Sequence, residues 1–338
     1  MGGVAEVLAE AGPDGIHIKE ISKETKTDPM KLGRVIRPLC TRHIFREISS
    51  DVFSHNRISS LLTSGRSLET IQERPQCKYQ GTAGMFAIVE WLTDEVFKGA
   101  AYFTETVMEP TTSHSLLPTQ SAFNNACNVD VDLFEWYEKP ENETRLLRFS
   151  CLSWRKKSKS THDHLGFQWS SIPPYSHVVD VGGDVGSTSL PISKEFPSLK
   201  VTTQDLPAVV VQAEQYWTSN LPDAISSGAV NFEGHDFFSP QPHQDASVFI
   251  LGYILHDWSD DRSVTILENL RRAASATTKL LVIEFLLPEI HSTSSSTDRI
   301  LKFPSPAARP YMSDLVCLLS EMTTMPLDAF TIADDRCI

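Results

Sequence analysis

Several common features are missing from this chain of 338 residues, and each absence removes a class of protein. The six cysteines (Cys40, Cys77, Cys127, Cys151, Cys317 and Cys337) are scattered with no CxxC pair, so neither a cysteine zinc site nor a disulfide framework is expected. No run reaches the roughly 18 apolar residues of a membrane span. The start lacks a charged-then-apolar secretory pattern. MGGVAE opens like a myristoylation signal but carries Glu6 where Ser or Thr is wanted. These absences point to the cytoplasm. Positive charge is short as well: 30 Lys and Arg against 43 Asp and Glu give −13. An acidic chain repels phosphate backbones, so no nucleic-acid partner is expected. No metal pattern stands out. His162 and His164 form a close pair in the polar stretch RKKSKSTHDH, which reads as a solvated loop without further ligands.

What is present centres on HVVDVGGDVGSTSLPISKEFPSLKVTTQD, residues 177–205. A short apolar run ends at Asp180. A turn with Gly182, Gly183 and Gly186 follows, then a helical stretch to Phe196 and a β-rich run closing on Asp205. Strand, glycine turn, helix, strand and acid outline a nucleotide-binding βαβ unit. Glycines admit a ligand close to the backbone, and a helix start behind them favours a negative group. An acid ending the second strand can accept hydrogen bonds from ribose hydroxyls. The alternative is a plain tight turn. The spacing approaches the D-x-G-x-G-x-G of S-adenosylmethionine enzymes, with Asp184 in place of the middle glycine.

Residues 1–60 read as three small helices and a hairpin, a winged-helix layout. Such a module binds DNA through its Lys31–Arg37 helix, or serves dimerisation or as a substrate lid; the acidic balance favours the second use. Residues 61–165 read as mostly helical, a linker layer able to cover a substrate cleft, with aromatic anchors Phe123, Phe134, Trp136 and Phe149. Residues 166–338 alternate strands and helices. Strand three leads to Asp236, and strand four, SVFILGYIL, runs to His256. Ser259-Asp260-Asp261 caps a helix, and strand five, KLLVIEFLL, contains Glu284. The fold class expected is α/β, a Rossmann-like parallel sheet whose ligands sit at the strands' carboxyl ends. Asp180, Asp205, Asp236 and His256 all fall there.

In this order and spacing, VVDVGG, Asp205-Leu206-Pro207, GHDFF, LHDWSDD and VIEFLLP resemble the small-molecule O-methyltransferases. More narrowly they resemble the fungal and plant group with an N-terminal winged-helix dimerisation domain. FREISSDVFSHNRISS, SAFNNACNVDVDLFEWYEKPEN and LGFQW match the fungal branch, and the resemblance runs over residues 10–318. It implies S-adenosyl-L-methionine as cofactor and a small aromatic hydroxyl acceptor, usually phenolic, in a homodimer. It implies His256 as general base, oriented by Glu284, and Asp257 against the substrate hydroxyls. For the cofactor it implies Gly182, Gly183 and Gly186 at the methionine moiety and Asp205 at the ribose. Asp236 and Phe237 would flank the adenine, with Asp180 and Leu206 completing the set.

The sequence departs from the family at three points. Asp184 crowds the place of the cofactor carboxylate. Gly252 stands where relatives carry Lys or Arg. After YMSDLVCLL the chain turns into SEMTTMPLDAFTIADDRCI and ends, where the family continues with a glycine turn, two strands and a second glutamate. The start lacks the family's first dimer helix. The expectation is therefore a relative shortened at both ends, with its last strands missing. Two other readings stand beside the enzyme: a catalytically impaired relative acting as a dimer partner, and a winged-helix DNA-binding regulator.

Overall fold

The computed structural model describes residues 3–79, 84–156 and 167–284. The loop expected around His162 and His164, and the expected loss of final strands, lie outside them. Contacts divide the chain into two compact units: Met1–Thr93 with Lys139–Lys156, and Asp94–Glu138 with Lys157–Ile338. The segment 61–165, expected to be mostly helical, is thus shared between them.

In the first unit, helices Val4–Ala11, Ile18–Thr25 and Pro29–Thr41 accompany a small antiparallel sheet. Its strands β1 (Ile16–His17), β2 (Arg46–Ser49) and β3 (Val52–Ser54) lie in the order β1-β3-β2. Asp28 starts the third helix by accepting from the Lys31 amide at 2.8 Å, with Pro29 in the first turn where its missing N–H is harmless. Leu8, Ile21, Ile36, Phe45 and Phe53 bury together as the core of this unit.

Among the described residues the second unit holds five parallel strands: β4 (His177–Val181), β5 (Lys200–Asp205), β6 (Val230–Gly234), β7 (Ala246–Gly252) and β8 (Lys279–Ile283). Their order is β6-β5-β4-β7-β8, so the chain winds outward from β4 in both directions. Both faces are covered because alternate side chains point opposite ways. Val179, Val181, Phe249 and Leu251 pack on Ile266 and Leu270 of helix Asp260–Ala273. Val178, Val201, Val248 and Ile250 pack on Ile192 and Trp217 from helices Ser189–Glu195 and Pro207–Asn220.

Three local expectations need correction. β7 ends at Gly252 and does not run on to His256. Tyr253 turns the chain with φ 62°, and a short 3-10 turn, Leu255–Asp257, carries the histidine. Glu284 lies one residue past β8, not within it. Ser259 takes the cap position of helix Asp260–Ala273, but its side chain makes no capping hydrogen bond. The first-turn charges of Asp260 and Asp261 complement the helix dipole there.

Candidate functional site

The glycine turn sits at the carboxyl end of β4 and is packed too tightly for side chains at its glycines. A Cβ on Gly182 would come within 2.5 Å of Ile254 Cδ1, and one on Gly186 within 2.4 Å of Trp217 Nε1. Both residues have positive φ, 64° and 73°, so glycine serves conformation and space together. Asp180 is buried beneath the turn, 2.8 Å from where a Gly183 Cβ would stand. Asp184 adopts φ 54°, a left-handed conformation that Asp tolerates better than most residues.

Asp205 ends β5 against this turn. Its Oδ2 accepts from the Asp184 amide at 2.7 Å and its Oδ1 from the Leu206 amide at 2.8 Å. Burial first, then the neighbouring Asp184 charge, push its carboxyl up to about 7 against the pull of those two amides. A carboxylate has about four lone-pair positions, so accepting two amides leaves capacity for two hydroxyls. The Ser187 hydroxyl, buried in the same turn, has no hydrogen-bond partner among the described residues. Spare acceptors at the strand end and an unsatisfied hydroxyl in the turn suit a ribose-bearing, polar ligand. Asp184 is the larger like-charge burden, and Asp180 adds a smaller one.

Beyond β7, the turn Leu255–Asp257 presents His256, which is 8% exposed. Glu284 fastens it twice: Oε1 accepts from the Leu255 amide at 2.8 Å, and Oε2 meets His256 Nδ1 at 2.7 Å. The ring's other nitrogen, Nε2, lies 3.1 Å from Asp257 Oδ1. A carboxylate on Nδ1 sets the tautomer and steadies a positive ring. Ile254, two residues before His256, touches the Gly182 position, which joins the glycine turn to the histidine turn. Phe237 reaches the same point, 3.3 Å from a Gly182 Cβ.

Asp236 is exposed and engaged locally, accepting from the Phe238 amide at 2.9 Å and the Ser239 hydroxyl at 3.2 Å. Gly252 ends β7, where a Cβ would find ordinary contact, 3.4 Å from Thr188 Oγ1. Phe134 of helix Leu133–Glu138 stacks on Trp258 at 5.4 Å, and Phe237 and Phe238 meet the same indole edge-on. Two contributors were invisible in the sequence. Trp217 donates from Nε1 to Val185 O at 3.0 Å and so holds the glycine turn from a distant helix. Tyr253 makes the turn that delivers His256; nothing in an apolar run marks one residue as left-handed.

Comparison with known proteins places the chain in a family. The O-methyltransferase domain family matches residues 119–303, more than half of the chain. An O-methyltransferase of Armillaria gallica is 45% identical over 293 residues, covering 84% of this chain and 61% of that protein. The 4-O-methyltransferase 1 of Phanerochaete chrysosporium is 38% identical over 285 residues, with the same 84% and 61% coverage. The chain therefore spans about three fifths of the length of these curated relatives. Among solved structures, OxaC in complex with sinefungin and meleagrin superposes with a TM-score of 0.72 at 19% identity. That match covers 96% of this chain and 75% of the other, a likeness of fold.

Proposed function

Because this chain belongs to the O-methyltransferase domain family, we propose that it methylates a hydroxyl of a small aromatic molecule, with His256 as general base. The observation that carries this reading is the pair of bonds from Glu284 to His256 Nδ1 and the Leu255 amide. S-adenosyl-L-methionine, when bound, supplies an electrophilic methyl group that only a deprotonated or deprotonating oxygen attacks well. Gly182, Gly183 and Gly186 would line its methionine part, Asp205 and Leu206 its ribose, and Phe237 with Asp236 its base, over the support of Asp180.

With Nδ1 against Glu284, Nε2, which lies 3.1 Å from Asp257 Oδ1, is the nitrogen that would take the acceptor's proton. As the ring gains that proton, Glu284 on one side and Asp257 on the other stabilise its charge. Asp257 also offers an acceptor to a neighbouring substrate hydroxyl. The stacked rings of Phe134 and Trp258 suit a flat acceptor. The first unit we read as a winged helix used for homodimerisation, in a cytoplasmic enzyme.

The test is methyl transfer to a panel of phenols by the native chain and by His256→Gln. The substitution should lower kcat roughly 100- to 10,000-fold, the range for a lost general base. S-adenosylhomocysteine affinity should stay within about twofold, since His256 serves the acceptor. Unchanged turnover in His256→Gln would remove the histidine from the mechanism. Asp184 beside Asp205 favours a second reading, an impaired relative. A native chain that ignores S-adenosylhomocysteine while Asp184→Gly binds it would establish that reading instead.

A further inference from the structure

At the other end of the sheet, the amino ends of β4 and β7 bring together residues far apart in sequence. His177 opens β4, and Asp245 immediately precedes β7. His243 lies on the segment 235–245, which returns from β6 to β7 without a helix. The two imidazoles stand 4.8 Å apart, nearly perpendicular at 86°. One ligand-capable atom from each of His177, His243 and Asp245 lies within 4.8 Å of the others.

Each ring is held by the nitrogen that faces away from the cluster or by a neighbour in it. His243 Nε2 meets Glu233 Oε2 at 2.6 Å. Glu233 is itself fixed by the Gln204 amide at 2.9 Å, and Gln204 and Gln241 exchange amide bonds at 3.1 and 2.8 Å. That network orients His243 so that Nδ1 keeps its lone pair. His177 Nε2 meets Thr202 Oγ1 at 2.9 Å, which leaves Nδ1 facing Asp245 Oδ1 at 3.1 Å. An imidazole backed by a carboxylate or hydroxyl on its second nitrogen is how proteins prepare histidine ligands.

We propose that His177, His243 and Asp245 bind a divalent cation of the zinc class. Two imidazoles with one carboxylate favour zinc, copper or nickel over magnesium or calcium, which prefer oxygen. Bonds of about 2.0–2.2 Å place tetrahedral ligand atoms roughly 3.4 Å apart. The 4.8 Å spread therefore closes with a small movement, available because the Asp245 side chain is 76% exposed. A cavity of about 390 Å3 walled by His177, Thr202, Asn231 and Asp245 adjoins two of the three ligands and opens a way in from solvent. Lys200 lines the same cavity and tempers the attraction. The ion would pin the helix-free crossover to the start of β4.

Calorimetric titration of the EDTA-treated 338-residue chain with zinc chloride tests the proposal, with melting temperature as a second readout. One equivalent should bind and raise the melting temperature. His177→Asn and His243→Gln should each weaken binding at least about tenfold and lose the rise, and Glu233→Gln should weaken it about 10- to 100-fold. Far-ultraviolet circular dichroism verifies that the variants, which alter partly exposed side chains, are folded. Absence of binding by the folded native chain overturns the proposal, as does binding that both histidine variants retain. The assay needs neither cofactor nor acceptor, so its failure is separable from failure of the methyltransferase reading.

Discussion

Asp205 holds the most testable charge in the site. Its carboxyl is raised to about 7, by burial first and by Asp184 second, so it keeps a proton well above the ordinary carboxylate value of about 4. The ionised form, which accepts best from ribose hydroxyls, dominates only above that value. S-adenosylhomocysteine should therefore bind the native chain more weakly as pH falls below about 7, up to tenfold per unit. In Asp184→Gly the inflection should move to lower pH, and affinity near neutrality should rise. The substitution also relieves a left-handed residue at φ 54°. Stability carries the opposite sign. A raised carboxyl binds its proton in the folded state, so this group's contribution declines as pH rises from about 4 to about 7. Urea midpoints at pH 5 and 8 should differ less in Asp184→Gly than in the native chain. Calorimetry and unfolding that show no change on substitution would separate Asp184 from Asp205.

At the scale of elements, the glycine turn depends on helix Pro207–Asn220 as much as on its own glycines. Gly186→Ala places a methyl 2.4 Å from Trp217 Nε1 in a backbone with φ 73°, and should destabilise by about 1–3 kcal/mol. Trp217→Phe loses the indole bond to Val185 O, about 0.5–1.5 kcal/mol, but opens space where that methyl would fall. The two changes together should therefore destabilise less than their sum, measured as a double-mutant cycle in urea. Simple additivity would mean that backbone strain, not the indole, makes glycine necessary. The same distinction explains what the sequence reveals. The helices Val4–Ala11 and Pro29–Thr41, and β4, β5 and β6 with acids at or near their ends, follow from local pattern: apolar period, a cap at Asp28, a proline in the first turn. β7 was overrun because Ile254 and Leu255 prolong its apolar run, while one left-handed residue, Tyr253, ends it. Trp217 was hidden because a helix distant in sequence packs it on the turn, and the His177–His243–Asp245 cluster because β4 and β7 run side by side.

For the whole molecule, one rival to an enzyme is a DNA-binding regulator, and charge argues against it. The chain carries −13 overall. Within the first unit, Arg37 on the helix that would enter a groove is already engaged. Its guanidinium bonds Glu47 at 3.0 Å and also reaches Asp51. Those carboxylates hold its pKa above the usual value and compete with a phosphate for it. The same helix exposes Met30 at 79% and Val35 at 57%, apolar groups that gain nothing from a phosphate backbone and suit a protein surface. A fluorescent duplex of random sequence should therefore show no change in anisotropy with micromolar protein at about 50 mM salt, where counterion release favours any basic binder. Light scattering of the same sample should give the mass of a dimer. Anisotropy that rises with protein and collapses as salt is added would restore the regulator. A monomer that also leaves DNA alone would free the first unit from both roles.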